Sequence, residues 1–388
     1  MPDVIIIGGA ATGWATAHYL NQLEPRLSIS VLEKDPTLAR SSTMLCESNI
    51  RIQFNLDENI LMSKFGMEVI DDFGDLLAVG DERPHADRRQ LGNLFLVDEA
   101  GRREALSGME NQLRHGGSVE WLDMSEIASR FPAASSDSYV GGTYGPEDGP
   151  VDASGVVAGY RRRARSGGVT QSGATVDSLV VNNGRIRGVM TDGHLHEADV
   201  VIVAAGAWSP GLLGSAGITV PVQPVMRTVY VVEGGFRAMG PLPATFLPSG
   251  AYVYPEAGPG TLMAWSTDAD PVGFDFTPAP RSHFYDVIWP EIASNLPAFD
   301  SLEVVRSWAG LYAQNTLDAN AILGEWPTVG GLFVATGFSG HGYQHCHAMG
   351  RHLAELVTGT TPSIDLSRFG PDRIIRGEPY AENAGRII

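Results

Sequence analysis

Three observations predict an α/β fold: a Rossmann-like parallel sheet with a second, mainly antiparallel α+β part. The chain opens with a short β-branched run, a glycine turn and a helical pattern. Two later runs, ADVVIVAAGAW and GLFVATGFSGHG, repeat the passage from apolar strand to glycine turn. Between them, residues 222–310 read mainly as antiparallel strands separated by turn signals such as EAGPG at 256–260.

Composition narrows the class. At 388 residues the chain exceeds one ordinary core, so two domains are expected. Its 43% hydrophobic and 19% charged content is that of a globular enzyme. A net charge of -18 argues against a nucleic-acid partner, which needs a basic surface. Two cysteines, Cys46 and Cys346, are too few for a disulfide framework and fit a reducing compartment. The chain enters an apolar strand at Val4 with no signal-peptide pattern before it, and no apolar run is long enough to span a bilayer. A cytoplasmic protein with no membrane partner is expected.

The first element is Val4 to Gly8 (VIIIG), a β-branched run suited to a buried parallel strand. GGAATG follows, placing Gly8, Ala10, Ala11, Thr12 and Gly13 at the turn and helix start. The helix WATAHYLNQL spaces Ala15, Ala17 and Leu20 for packing on a sheet, and a second strand, SISVLE, ends in Glu33. Strand, glycine turn, helix, strand and acid together make a dinucleotide-binding fingerprint. Gly8 permits the tight turn, and Gly13 lets helix and strand approach closely. A pyrophosphate would sit on the free N–H groups of the helix start. Glu33 can accept from a ribose diol and disfavours a 2′-phosphate. Ala10 stands where the fingerprint's second glycine is expected, a modest obstacle of one methyl.

Further along, Leu94 to Glu104 (LFLVDEAGRRE) reads as a hairpin, Ala105 to His115 as amphipathic, and a short helix ends before Pro132. Alternation in AYVYP puts Tyr252 and Tyr254 on one strand face. Gly331 to Thr336 is a strand leading into a glycine-rich turn, and Tyr343 to Thr358 is a helix. The N-terminus of that helix favours negative charge. The tail from Pro371 is polar and is expected to wrap the surface.

Four segments in order resemble the FAD-dependent amino acid oxidase (DAO) superfamily, the group of glycine oxidase, sarcosine oxidase and dimethylglycine dehydrogenase-type flavoproteins. They are KDPTLARSSTMLCESNIRIQF after Glu33, DGPVDASGVVAGYRRRARSGG, ADVVIVAAGAWSPGLL and GLFVATGFSGHGYQHCHAMGRHLAELVTG. The resemblance implies a glutathione-reductase-like FAD-binding domain formed by 1–80, 148–215 and 325–365. A substrate domain would take 81–147 and 216–324, and a tail 366–388. It implies cofactor contacts from Lys34, Ser41, Ser42, Thr43, Val176, Gly206, Trp208, Gly340, His341, Gly342 and Tyr343, besides the N-terminal turn. Ser41 to Thr43 could equally cap a helix.

The implied reaction is oxidation of a C–N bond of an amine or amino acid by hydride transfer to flavin N5, giving an imine. The electron acceptor would be O2 or a protein. Arg51, Tyr252, Tyr254, Tyr312, His341 and Gln344 fall where relatives place substrate- or flavin-facing groups. Arg51 could instead form a surface salt bridge, and the tyrosines could be core. Tyr312, Gln344 and Phe54 stand where relatives carry carboxylate-binding Arg or Lys side chains, so a larger, less anionic or differently held amine is expected rather than simple sarcosine or glycine. Gly310 and Leu45 stand at the places of the family's covalent flavin linkers, which points to non-covalent FAD. Cys46, next to Leu45, is a residual candidate linker and otherwise a small buried hydrophobe. Rival readings are a 2-hydroxy-acid dehydrogenase with His341 or His345 as base, and a non-catalytic flavoprotein assembly factor.

GHGYQHCHAMG, residues 340–350, has the histidine density of a metal site. On a helix, however, adjacent side chains diverge by about 100°, so His345, Cys346 and His347 cannot easily meet at one ion. No metal is expected.

Overall fold

The computed structural model describes residues 3–256, 258 and 260–382. Two sheets carry the architecture. The first runs in the order Ile322–Glu325, Leu332–Thr336, Val200–Val203, Val4–Ile7, Ile29–Leu32, Thr170–Ser172. Val4–Ile7 lies at its centre, parallel to both neighbours, with Val4 opposite Val200 and Ile29. All four of its residues are buried, as the uninterrupted β-branched run requires. Ile322–Glu325 joins this sheet as an antiparallel edge, so the nucleotide-binding part takes in residues before the expected start at 325.

Helices cover the sheet. Ala11–Leu23 and Gly342–Thr358 pack against each other so closely that a Cβ on Gly350 would lie 2.7 Å from the Ala15 Cβ and 2.8 Å from the Thr16 nitrogen. Ala153–Ser166, capped by Asp152 through the Ser154 N–H, closes the other flank of the first helix. The N-terminal ends of both packed helices therefore point toward one region.

The second sheet has eight strands. Its order is Leu302–Asn315, Val222–Gly234, Thr261–Trp265, Ala251–Pro255, Ala244–Phe246, Asn93–Val97, Gly141–Gly145, Glu120–Asp123. Pairing is antiparallel except between Ala244–Phe246 and Asn93–Val97. Tyr252 and Tyr254 share a face and a buried cluster with Phe95 and Phe246.

Two local expectations are corrected. LFLVDEAGRRE is a strand, Asn93–Val97, followed by a helix, Arg102–Arg114, and not a hairpin. Gly101 donates to the Asp98 side chain at 2.8 Å, closing a turn that feeds the helix. The strand pairs instead with Gly141–Gly145, where glycines permit close backbone approach. Within 222–310, a helical stretch that includes Trp289–Asn295 interrupts the strands. Ala257 and Pro259 of the expected EAGPG turn lie outside the described residues.

Candidate active site

The two helix N-termini and the inner face of the eight-stranded sheet border a single cavity of about 490 Å³, within the range of small-molecule and cofactor sites. At one end is the N-terminal turn. Gly8 has φ of +109°, and a Cβ there would sit 2.4 Å from the Ala204 carbonyl oxygen. A Cβ on Gly13 would lie 1.9 Å from the Gly8 oxygen. Only glycine allows this approach of helix to strand. Ala10 forms the N-cap with no side-chain hydrogen bond, which leaves the helix start open to an anion. Ala10 and Thr12 border the cavity, and the Ala11 N–H is directed at the Thr43 hydroxyl, 3.5 Å away.

Glu33 is fixed by the backbone N–H groups of Gly9 (2.8 Å) and Asp35 (2.9 Å) and borders the same end. Ser41 caps the turn Ser42–Leu45 by accepting from the Met44 N–H at 3.2 Å, and the Ser42 hydroxyl donates to the Leu311 carbonyl at 2.6 Å. Both serines and Thr43 border the cavity, as do Val176, Gly206 and Trp208. The Lys34 ammonium lies 3.5 Å over the Trp208 ring.

The other end is built on the turn before Gly342–Thr358. Gly340 has φ of +96°, a region that favours glycine. His341 is the N-cap, and its side chain does not cap the helix. Its imidazole packs edge-on against Phe54 at 4.9 Å. Burial, and then the Arg51 charge, push it well below the ordinary histidine range. The Tyr343 and Tyr254 hydroxyls and the His341 Nε2 are buried with no partner among the described residues. Such atoms are costly unless a bound molecule satisfies them.

Arg51 is buried rather than a surface ion pair. It donates to the Gln53 carbonyl at 2.6 Å and lies 3.9 Å over Phe54 and 5.2 Å over Phe95. Gln344 accepts from the Arg51 N–H at 3.0 Å, tying the loop at Arg51 to the start of the helix Gly342–Thr358. Tyr252, Tyr254 and Tyr312 line the cavity wall contributed by the second sheet.

Two cavity residues escaped the sequence reading. Arg227 is the one basic residue in the strand Val222–Gly234, and Glu47 the one acid between Arg40 and Arg51. Neither carries a motif that would single it out in the sequence. The Arg227 guanidinium lies 5.3 Å over the Tyr312 ring. Its Nη1 donates to the Thr267 carbonyl at 3.0 Å and pairs with Asp270. Its Nε is buried with no partner among the described residues. Glu47 accepts from the Tyr252 hydroxyl.

The histidine cluster disperses. His345 meets the Ser63 hydroxyl at 3.0 Å and His347 the Tyr160 hydroxyl at 2.7 Å, so the two bond in different directions, although the His345 ring lies 5.9 Å from that of His341 across Phe54. Among the described residues no three His, Cys, Asp or Glu side chains are grouped to hold a metal. Burial pushes His345 and His347 down to about 3, and burial, then Arg163 and Arg351, push His18 down to about 4. Folding therefore keeps these rings neutral while the unfolded chain protonates them below about 6.5. Their stabilisation is complete above that pH and is lost as pH falls toward 4. Asp148 and Glu47, both raised to about 7 by burial, act the opposite way over the same window. His347→Gln is thus expected to flatten the acid limb of the stability profile. The difference should reach about 2 kcal/mol between pH 6.5 and 5, read by chemical denaturation. An unchanged slope would show that His347 does not resist protonation.

A sequence profile described as FAD dependent oxidoreductase matches residues 3–356. The chain is 34% identical to FAD-dependent oxidoreductase domain-containing protein 1 of Xenopus laevis, over 98% of this chain and 84% of that protein. It is 29% identical to glycine oxidase of Geobacillus kaustophilus, over 67% of each. The solved structure of L-proline dehydrogenase from P. horikoshii superposes with a TM-score of 0.85 at 24% identity, covering 98% of this chain and 99% of that one.

Proposed function

The chain belongs to the FAD-dependent oxidoreductase family, and from that premise we propose that it oxidises the C–N bond of a carboxylate-bearing amine. FAD, when bound, supplies the two-electron acceptor for this reaction. The residues present fit it. The open helix start at Ala10 to Gly13 would take the pyrophosphate, and Glu33 the ribose. Arg51 and the turn from Gly340 to Tyr343 would face the ring. The cofactor would be held without a covalent link: burial pushes the Cys46 thiol up to about 11, and its sulfur is directed to the Thr43 carbonyl at 3.1 Å. A thiol so placed is a poor nucleophile.

The observation that carries the proposal is the Arg227 guanidinium. With Nη1 occupied by Thr267 and Asp270, the buried Nε has no partner among the described residues, and a guanidinium with a donor to spare is suited to grip a carboxylate. The anchor absent at Tyr312 and Gln344 is thus supplied from a neighbouring strand. Arg227 would orient the substrate by its carboxylate, and Tyr252 and Tyr312 would confine the rest. Relatives named glycine oxidase and D-amino acid dehydrogenase carry names of the same substrate class.

The hydroxy-acid alternative requires a base, and the two histidines considered for it are unsuited. His345 is turned to Ser63, and His341 is held too far below neutrality to take a hydroxyl proton efficiently.

Simple carboxylates without an amine, such as acetate and benzoate, are expected to bind the FAD-loaded protein and perturb its visible flavin spectrum. Absence of any perturbation at 100 mM (roughly a hundred times a millimolar Kd) would overturn the assignment of a carboxylate site.

A further inference from the structure

We propose that Glu47 accepts the proton of the substrate's ammonium group, with Tyr252 as the hydroxyl that positions it. This deepens the amine-oxidation reading and rests on it. The carbon next to nitrogen can lose hydride only when the nitrogen lone pair is free to stabilise the developing cation. An amino acid arrives largely as the ammonium form, so the site must remove one proton before oxidation.

Glu47 is placed to do this. Four acids border the cavity: Glu33, Asp35, Glu47 and Asp177. Glu33 is held at the nucleotide end by Gly9 and Asp35. The Asp35 side chain accepts from Thr37, and the Asp177 side chain accepts from the Asp192 N–H at the surface. Among the described residues only Glu47, of these acids, borders the half of the cavity where Tyr252, Tyr312 and Arg227 are gathered, and the Tyr252 hydroxyl donates to one of its oxygens. Both Glu47 and Arg227 act electrostatically on Tyr252 and on Tyr312. The anion is bonded to Tyr252 and the cation lies over Tyr312, a pairing of opposite charges on one cavity wall that a zwitterionic ligand complements.

The step balances without any redox partner. An N–H bond of the ammonium breaks, an O–H bond forms on Glu47, and the electron pair stays on nitrogen. The substrate loses its positive charge and Glu47 its negative charge, so a buried charge pair becomes a neutral pair.

The surroundings suit transfer near neutrality. Burial raises the Glu47 carboxyl to about 7, and the Tyr252 hydrogen bond holds it from rising further. The titratable groups facing it are Cys46 on its own loop, Tyr252 and Tyr254 on one strand, and Tyr312 on another. All four are raised, so they stay neutral while Glu47 changes charge.

The test is anaerobic single-turnover bleaching of the FAD-loaded protein by sarcosine and by L-proline from pH 6 to 10. In the wild type the rate should rise through a limb near pH 7. In Glu47→Gln the rate at pH 7 should fall about a hundredfold, and the limb should move toward about 10, where the free amine deprotonates unaided. In Tyr252→Phe the limb should move upward from the wild-type position, because a hydrogen bond to the carboxylate is lost. Acetate binding should survive in Glu47→Gln, which reports an intact site. An unchanged limb in Glu47→Gln, or an equal loss at every pH, would overturn the role of Glu47. Failure of both amines to bleach the wild type at any pH would instead remove the amine reading, and this proposal with it.

Discussion

Arg227→Gln is expected to lower kcat/KM for an amino-acid substrate by about a thousandfold and to abolish acetate binding, with FAD content unchanged. Breaking one partner of a buried charge pair costs roughly 3–5 kcal/mol, which is two to three and a half decades in transition-state stabilisation. Arg227 justifies that range. It is largely enclosed, its Nη1 is immobilised by Thr267 and Asp270, and Tyr312 lies beneath its plane. The guanidinium is thus already oriented before a ligand arrives, and little entropy is lost on binding. Arg227→Lys should restore only a small part of the activity, since a point charge cannot reproduce the planar fork. A variant that kept wild-type kcat/KM would remove Arg227 from the site.

The second large effect concerns the cofactor. Gly13→Ala is expected to yield protein that purifies nearly free of flavin and is destabilised by roughly 2–3 kcal/mol. The added methyl would stand 1.9 Å from the Gly8 carbonyl oxygen, a backbone atom that cannot rotate away. Relief requires the helix start to move off the strand, and the N–H groups meant for the pyrophosphate move with it. Ala10→Gly is the contrasting change. It removes a methyl from an N-cap with no side-chain bond and should retain full flavin. The ratio of visible flavin absorbance to protein absorbance reads both variants. A fully yellow Gly13→Ala protein would contradict the placement of the cofactor.

The parallel sheet was legible because a buried central strand leaves little choice of residue: Val4–Ile7 had to be apolar on both faces, and the glycines after it are forced by contacts under 3 Å. The helix Gly342–Thr358 was legible from the glycine-rich turn before it and the apolar Met349, Leu353, Leu356 and Val357, although its first half is buried on every side. The strand-then-helix course of Asn93–Arg114 was not. Its Asp-Glu-Ala-Gly turn suits a hairpin equally well, and the partner strand that decides the matter lies some 45 residues away in sequence. Arg227 and Glu47 were missed for a similar cause. A single charge in a strand or loop has no local signature, and only tertiary pairing with Tyr312 and Tyr252 turns it into part of a site. Motif comparison noted that the expected anchor positions hold Tyr312, Gln344 and Phe54. None of these positions points to Arg227, which stands on a different strand, Val222–Gly234.

The proposed reaction requires one cavity to hold a flavin and a carboxylate-bearing amine together. The direct measurement is anaerobic flavin bleaching by a matched set: L-proline, its carboxylate-free analogue pyrrolidine, its amine-free analogue cyclopentanecarboxylate, and the hydroxy acid lactate, with sarcosine as a second amino acid. Bleaching by at least one amino acid, with none from pyrrolidine, cyclopentanecarboxylate or lactate, is the predicted result. Bleaching by lactate alone, or by pyrrolidine as readily as by proline, would contradict it.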